Sequence, residues 1–388
     1  MNKDRARPIA AFIDLAAQRE HLGDSVEIAI AAVLKHGQYV LGPEVTELER
    51  KLAEFCGARH CISCANGTDA LLLVLMAEGI GPGDAVFVPD FTFVATAEVV
   101  VLAGATPVLV DIYPDSFNMD VASLEAAIGE AKRRGLKPRA VIPVDLYGQP
   151  ADYRAINRIA KVHDDLIVLA DAAQSFGASL NGKKVGTLAD YTATSFYPSK
   201  PLGGYGDGGA IFTDNDEKAK LLFSLRCHGK APDQPESEFV GLNSRLDTIQ
   251  AAILLQKLRL FPNEISARQA VADRYAEGLS GFVQVPSLMN GATSVWAQYT
   301  ILVERRDEFA KACREAGLPT AIHYLSAIHA LPSYREFPKA PGLRQTDSLA
   351  RRVISLPMHA YLAPETQDRI IETVQSVVRS LKAGVAAE

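Results

Sequence analysis

From about residue 60 to residue 215 the chain alternates short apolar runs with segments whose apolar residues recur at helical spacing. The runs are Cys61–Cys64, Ala85–Val88, Val108–Val110, Ala140–Val144, Ile167–Ala170, Thr192–Phe196 and Ala210–Thr213. They lack polar–apolar alternation, so they read as strands covered on both faces. Asp69–Ala77, Thr96–Leu102, Val121–Arg133 and Tyr153–Val162 lie between them as helices. Strands parted by helices predict an α/β fold with a mainly parallel sheet.

Further along, the pattern changes. Asp247–Leu260 and Pro262–Leu279 predict two consecutive helices, the first almost wholly apolar on one face. Composition breaks at Pro286–Gly291. A strand at Ala297–Glu304 and helices at Arg306–Ala316 and Pro364–Leu381 then suit a smaller α+β unit. The expected organisation is a large domain over residues 1–280, including an N-terminal arm, and a small C-terminal domain over 281–388.

Composition narrows the function. Lys and Arg total 40 against 46 Asp and Glu, a net charge of −6 that gives no reason to expect nucleic acid or an anionic membrane as partner. No apolar run approaches a bilayer span, and the charged start Met1–Pro8 lacks a signal-peptide core, so the cytoplasm is the default location. Five cysteines in 388 residues make no disulfide framework. Cys61-Ile-Ser-Cys64 has the spacing of a metal or redox pair, but only Cys56 and His60 lie close by. Its place in an apolar run favours two buried thiols and no metal.

Ligands of open α/β sheets bind beyond the carboxyl ends of the strands, and four polar clusters fall at such ends. The first is Asn66-Gly67-Thr68. Glycine admits a close approach, and free N–H groups with the Thr68 hydroxyl make an anion cradle; the same residues also suit an ordinary helix cap. The second is Asp171, which ends a buried strand, where a carboxylate is costly without a partner. Capping or a structural ion pair would explain it. So would a protonated pyridine nitrogen, the pairing that makes pyridoxal phosphate an electron sink, with Gln174 on the ring hydroxyl. In the third cluster, Lys200 stands between a strand and the glycine-rich Gly203–Gly209, placed to form a Schiff base, and Ser195 could reach a phosphate. Without that context Lys200 is a surface lysine. In the fourth, Phe93 could stack on a ring or serve the core. Gly204–Gly209 also spells G-x-G-x-x-G, yet a strand pattern follows it rather than a helix, which excludes a dinucleotide fingerprint.

In order along the chain, Phe12-Ile-Asp-Leu15, Gly42-Pro-Glu-Val45, Asn66-Gly-Thr-Asp-Ala70, Asp171-Ala-Ala-Gln174 and Lys200 with Ser195 resemble the nucleotide-sugar aminotransferases of the DegT–DnrJ–StrS group. Arg226-Cys-His-Gly229, Gly241-Leu-Asn-Ser-Arg245, Gln250-Ala-Ala-Ile253 and Ser355–Tyr361 extend the likeness over nearly the whole chain. The resemblance implies an aspartate-aminotransferase type of fold and pyridoxal phosphate as cofactor. Lys200 would carry the cofactor and move the proton, and Asp171 would pair with the pyridine nitrogen. Gln174 would meet the ring hydroxyl, Gly67, Thr68 and Ser195 the phosphate, and Phe93 the ring face. Asn243 would reach the phosphate of the neighbouring subunit's cofactor, making a homodimer with shared sites. Glutamate would donate the amino group to a nucleotide-linked keto sugar. Many relatives have Glu and His where this chain has Ala170 and Phe176. Members that dehydrate sugars carry His in place of Lys200.

Asp145-Leu-Tyr-Gly-Gln149, Ser199–Gly203, Tyr205–Gly209 and Ser294–Tyr299 look like the subgroup that aminates C3 of UDP-2-acetamido-3-keto-glucuronic acid for surface polysaccharides such as lipopolysaccharide O-antigen. His323-Tyr324 matches a pair expected to enter the sugar pocket from the second subunit. Arg245 is the candidate partner for a uronic carboxylate, or else half of an interface ion pair. Leu325–His329 departs from the proline-containing version of relatives. The rival readings are a 4-keto-6-deoxy-sugar aminotransferase, a lyase on this scaffold, a cysteine desulfurase using Cys227 beside His228, and a regulator without turnover.

Overall fold

The seven apolar runs form one sheet in the computed structural model of the chain, which describes residues 8–230 and 236–385. Its strands are β1 (His60–Cys64), β2 (Asp84–Pro89), β3 (Thr106–Val110), β4 (Lys137–Val141) and β5 (Ile167–Asp171). After a short hairpin, β6 (Ser179–Leu180) with β7 (Lys183–Lys184), come β8 (Tyr191–Ser195) and β9 (Gly209–Thr213). The spatial order is β1-β9-β8-β5-β4-β2-β3. Only β9 runs antiparallel to its neighbours. The carboxyl ends of β1, β2, β5 and β8 therefore open on one edge. All of β2 and β9 is buried, as uninterrupted apolar runs require. The β4 run ends at Val141, earlier than its hydrophobicity suggests, because Pro143 has no N–H to continue the ladder.

The helices Gly67–Ala77, Ala95–Leu102, Val121–Arg133 and Tyr153–Val162 fill the expected places. Three N-terminal helices, Leu15–Leu22, Ser25–His36 and Pro43–Cys56, were not among the predicted elements, though the third buries Val45, Leu48, Leu52 and Cys56 at helical spacing. The third also carries signals at its ends: Pro43 in the first turn and Gly57 at φ 82, the left-handed conformation that closes a helix.

The expected pair of helices at 247–279 is a correction: Thr248–Leu279 is a single helix of 32 residues with Pro262 inside it. Proline removes one backbone hydrogen bond. Burial of Phe261, Glu264 and Arg268 around it holds the helix together across that gap. The last turns of the helix, through Val271, Tyr275 and Leu279, line a second hydrophobic core with Phe309, Ile354 and Ile370. That core also covers a two-stranded sheet of β10 (Tyr299–Leu302) and β11 (Val353–Leu356). No helix among the described residues is long and apolar enough to cross a membrane.

The thiols of Cys61 and Cys64 are buried, and they lie in different hydrophobic clusters. Three residues apart on a strand, they face opposite sides of the sheet. Burial pushes both thiols up, away from the reactive thiolate.

Candidate active site

Asp171 is the last residue of β5, 6% exposed, at the carboxyl edge of the sheet. Thr96, in the first turn of the helix after β2, donates its hydroxyl to Oδ2 at 2.8 Å, and the Ala173 N–H donates to Oδ1 at 3.2 Å. Neither donor is a cation. Burial pushes the Asp171 carboxyl up, opposed by the Thr96 hydroxyl, the Ala173 N–H and the charge of Lys200. A buried carboxylate held by two neutral donors gains most from a cationic N–H. A protonated pyridine ring supplies one, so the pocket fits the expected cofactor.

Lys200 sits on the turn after β8. Its own N–H donates to Tyr197 O at 2.8 Å, and Gly204 N–H donates to Phe196 O at 2.7 Å, closing the turn. A Cβ on Gly203 would stand 2.5 Å from Pro198 O, so only glycine lets this turn close. Burial pushes the Lys200 ammonium down, opposed by Asp171. The amine is thus eased toward its neutral, nucleophilic form beside the carboxylate.

Gln174 follows in the same buried bend. Its Oε1 accepts from the Tyr147 N–H at 2.7 Å, and its Nε2 donates to the Tyr324 hydroxyl at 3.2 Å. The rings of Tyr324 and Phe93 lie 6.1 Å apart, and Phe93 is 56% exposed. Exposure of a large aromatic at a strand end is consistent with a ring-stacking surface rather than with core packing.

Gly67, which opens the helix after β1, and Ser195, which ends β8, meet directly: a Cβ at Gly67 would stand 2.7 Å from the Ser195 Cβ. Asn66 caps the helix, its Oδ1 accepting from Asp69 N–H at 2.8 Å. Gly67 and Thr68 form the first turn. The cap thus leaves their N–H groups without helical partners, where the anion cradle is expected.

His323 and Tyr324 require a correction. They were expected to arrive from a second subunit, yet they stand in this chain's own site. Tyr324 holds Gln174, Tyr147 donates its hydroxyl to His323 O, and His323 Nδ1 lies 3.2 Å from Ser355 Oγ. Burial, and secondarily the charge of Lys200, pushes His323 below its ordinary pKa. The cause is topological: the chain beyond β10 returns over the carboxyl edge of the sheet. Asp90 secures it there, accepting from Ile328 N–H through its carbonyl and from His329 N–H and Nδ1 through its carboxylate, the last at 2.5 Å. His329 is the residue that closes the segment in which this sequence departs from relatives.

Asn243 and Arg245 are not brought into this cluster by side-chain bonds. Their segment pairs with the turn after helix Asp216–Leu225 through the Cys227–Asn243 bridge, and Ser244 accepts from Ala65 N–H at 3.1 Å, beside the cradle. Asn243 is exposed and Arg245 half-buried, with no ion pair for Arg245 among the described residues. Phe176, the departure from relatives, is buried and stacks on Phe212 at 5.2 Å. It serves the core, away from the site. The strand after Gly204–Gly209 is β9, which removes the dinucleotide reading.

Sequence reasoning missed Thr96, Tyr147 and Asp145. Thr96 had a weak signal, its place at the opening of a helix after a strand. The other two lie in the Asp145–Gln149 pattern already noted, but their roles, a buried carboxylate on Ser175 and a backbone N–H on Gln174, depend on a turn that no spacing rule encodes.

Comparison with known proteins agrees with this geometry. The model of the DegT/DnrJ/EryC1/StrS aminotransferase family matches residues 22–375. A UDP-2-acetamido-2-deoxy-3-oxo-D-glucuronate aminotransferase of Pseudomonas aeruginosa is 50% identical over 90% of this chain and 95% of its own. The crystal structure of a DegT DnrJ EryC1 StrS aminotransferase from Brucella abortus superposes with a TM-score of 0.93 at 49% identity, covering 95% of this chain and 99% of that one. NtdA from Bacillus subtilis, solved with bound cofactor PMP, superposes at 0.86 with 29% identity, covering 98% of this chain and 86% of its own.

Proposed function

This chain belongs to the DegT/DnrJ/EryC1/StrS aminotransferase family and is a pyridoxal-phosphate enzyme acting on a nucleotide-linked keto sugar, and from that premise we propose that it aminates C3 of UDP-2-acetamido-3-keto-glucuronate, with glutamate as donor. The observation that carries the reading is the convergence of Lys200, Asp171 and Gln174 with the His323–Tyr324 pair at one sheet edge. The 50% identity to an aminotransferase of that sugar supports the substrate assignment. The product would feed surface polysaccharide such as lipopolysaccharide O-antigen. The working form is a cytoplasmic homodimer in which Asn243 reaches the cofactor phosphate of the partner subunit's site.

When bound, pyridoxal phosphate supplies an electron sink for the carbanion that transamination must form. The chain's residues do the rest. Asp171 keeps a proton on the pyridine nitrogen, and Thr96 fixes the carboxylate that does so. Gln174 would donate to the ring hydroxyl, Phe93 would cover the ring, and Gly67, Thr68 and Ser195 would hold the phosphate. The Lys200 amine, eased toward neutrality by burial, would take the proton from the donor's α-carbon and, in the second half of the exchange, would deliver one to the sugar carbon that gains the amine. His323 and Tyr324 face the sugar, with Arg245 on its carboxylate.

A panel of UDP- and dTDP-linked keto sugars incubated with glutamate, the new amine located by NMR, tests the reading. The acidic 3-keto sugar should be turned over fastest; faster amination of a 4-keto-6-deoxy sugar would overturn the assignment. Arg245→Lys should weaken turnover of the uronate by roughly tenfold or more relative to its hydroxymethyl analogue, the size of a charge-assisted hydrogen bond. Equal losses would assign Arg245 to the dimer interface instead.

A further inference from the structure

Asp145 is completely buried and takes no part in the chemistry above. It lies beyond the carboxyl end of β4, where its N–H donates to Asp171 O at 3.0 Å. Oδ1 of its side chain accepts from Ala151 N–H at 2.8 Å and from the Tyr153 hydroxyl at 2.7 Å, and Oδ2 accepts from the Ser175 hydroxyl at 2.6 Å. These bonds join two separate stretches, the turn 145–151 and the bend 171–175.

Gln174 lies between the two stretches. It is the neighbour of Ser175, and its Oε1 is taken by the N–H of Tyr147, two residues after Asp145. Tyr147 adopts φ 61, a left-handed backbone that aims this N–H into the bend. With its oxygen bonded there and one amide N–H on the Tyr324 hydroxyl, the Gln174 side chain is oriented at both ends and keeps its second N–H to offer the site. Three donors converge on Asp145, and a carboxylate, acceptor-only when ionised, satisfies all three. No cation among the described residues is bonded to it. Burial, with the nearby Asp171 charge adding, pushes this carboxyl up to about 7, so the group is held at an electrostatic cost that its geometric role must justify.

We propose that Asp145 is the positioning residue of the cofactor site, clamping Ser175 to the 145–151 turn so that Gln174 is fixed with its amide N–H turned toward the cofactor. The inference rests on the reading that Gln174 bonds the cofactor's ring hydroxyl. Because Asp145 acts through Gln174, the two should behave as one unit.

The test is a double-mutant cycle on pyridoxal phosphate affinity, read by absorbance as the holoenzyme is equilibrated at falling cofactor concentration, with circular dichroism as the control for folding. Gln174→Ala and Asp145→Ala should each weaken the affinity by roughly tenfold, and the double variant by no more than either alone. Asp145→Asn should recover to within about threefold of the parent, since the Ser175 hydroxyl can reverse and accept from the new amide. If Asp145→Ala does not fold, Ser175→Ala, which opens one jaw of the clamp, takes its place in the cycle. Penalties that multiply to roughly a hundredfold in the double variant would overturn the proposal. So would Asp145→Asn binding as weakly as Asp145→Ala. An unchanged affinity in Gln174→Ala would remove the reading of Gln174 itself, a failure distinct from additivity beside an effective Gln174→Ala.

Discussion

The two sides of this site are built on opposite principles. On the inner side, from Asp171 to Ser175, nearly every polar atom has a partner in the same chain: Thr96 and Ala173 on Asp171, Tyr147 and Tyr324 on Gln174, Asp145 on Ser175. On the outer side, which we propose for the sugar and the partner subunit, Asn243 and Arg245 hang from a segment held mainly by backbone bonds, one side chain exposed and the other half-buried without an ion pair among the described residues. Electrostatic catalysis demands preorganised groups, which a single fold provides. The outer side can be completed by molecules that come and go, a sugar or a second subunit. On the proposed reading, the rigid groups are those the chain uses alone and the unspent ones those a sugar or a second subunit would complete.

The inner side is where a single change should do most damage. Lys200→Ala should lower turnover by about 10²–10⁴-fold, the range of general acid–base catalysis, and should abolish the lysine-linked absorption band of the bound cofactor. Turnover at the parental rate would break the comparison at its strongest point. The outer side is tested by complementation. Lys200→Ala and Asn243→Ala should each be inactive alone, yet mixing and reassembling them should recover about a quarter of parental activity, since half of the dimers are then mixed and each holds one intact site. No recovery from demonstrated heterodimers would place Asn243 in its own subunit's site.

Smaller effects sharpen the contrast. Thr96→Val removes a donor from a buried carboxylate and should cost about 1.5–3 kcal/mol in cofactor binding, measured by equilibrium titration. The corresponding change at exposed Asn243 should cost the isolated subunit nothing. The Asp90–His329 latch gives the weakest signal, and its sign is fixed by the charges around it. The hydrogen bond to Asp90, foremost, and the charges of Asp90 and Asp347 raise the His329 pKa against burial and Lys339. Burial raises that of Asp90. A raised histidine stabilises the fold fully below its unfolded value of about 6.5 and loses that contribution as pH climbs through the raised value. Ionising Asp90 out of its buried place acts in the same direction. Melting temperatures across this range should therefore fall more steeply for the parent than for His329→Gln; parallel slopes would show that the latch does not titrate.

Much of the inner side was legible in the sequence. Asp171 and Lys200 follow buried strands, and a costly charge at the end of an apolar run is visible without coordinates. The order of strands was not, because nothing local tells β9 to insert between β1 and β8. Nor was the provenance of His323 and Tyr324, which a returning chain delivers to the subunit's own edge. The long helix escaped for the opposite reason: Pro262 carries a strong local signal to stop, and tertiary burial on both sides of it overrode that signal.

That uninterrupted helix has a mechanical meaning. At about 1.5 Å per residue its 32 residues make a rod of roughly 48 Å. Its first turns pack with Ala251 and Leu254 in the cluster that holds Phe196, four residues before Lys200, and its last turns wall the second core. Neither core can melt without tearing away a surface the other end of the rod depends on. The two halves should exchange their slowest amide protons together, as one cooperative unit. A fragment begun after Leu279 would lack the helical wall of its own interior, so any attempt to split this enzyme into separately folding pieces should cut before residue 271 and let the C-terminal piece keep the end of the rod.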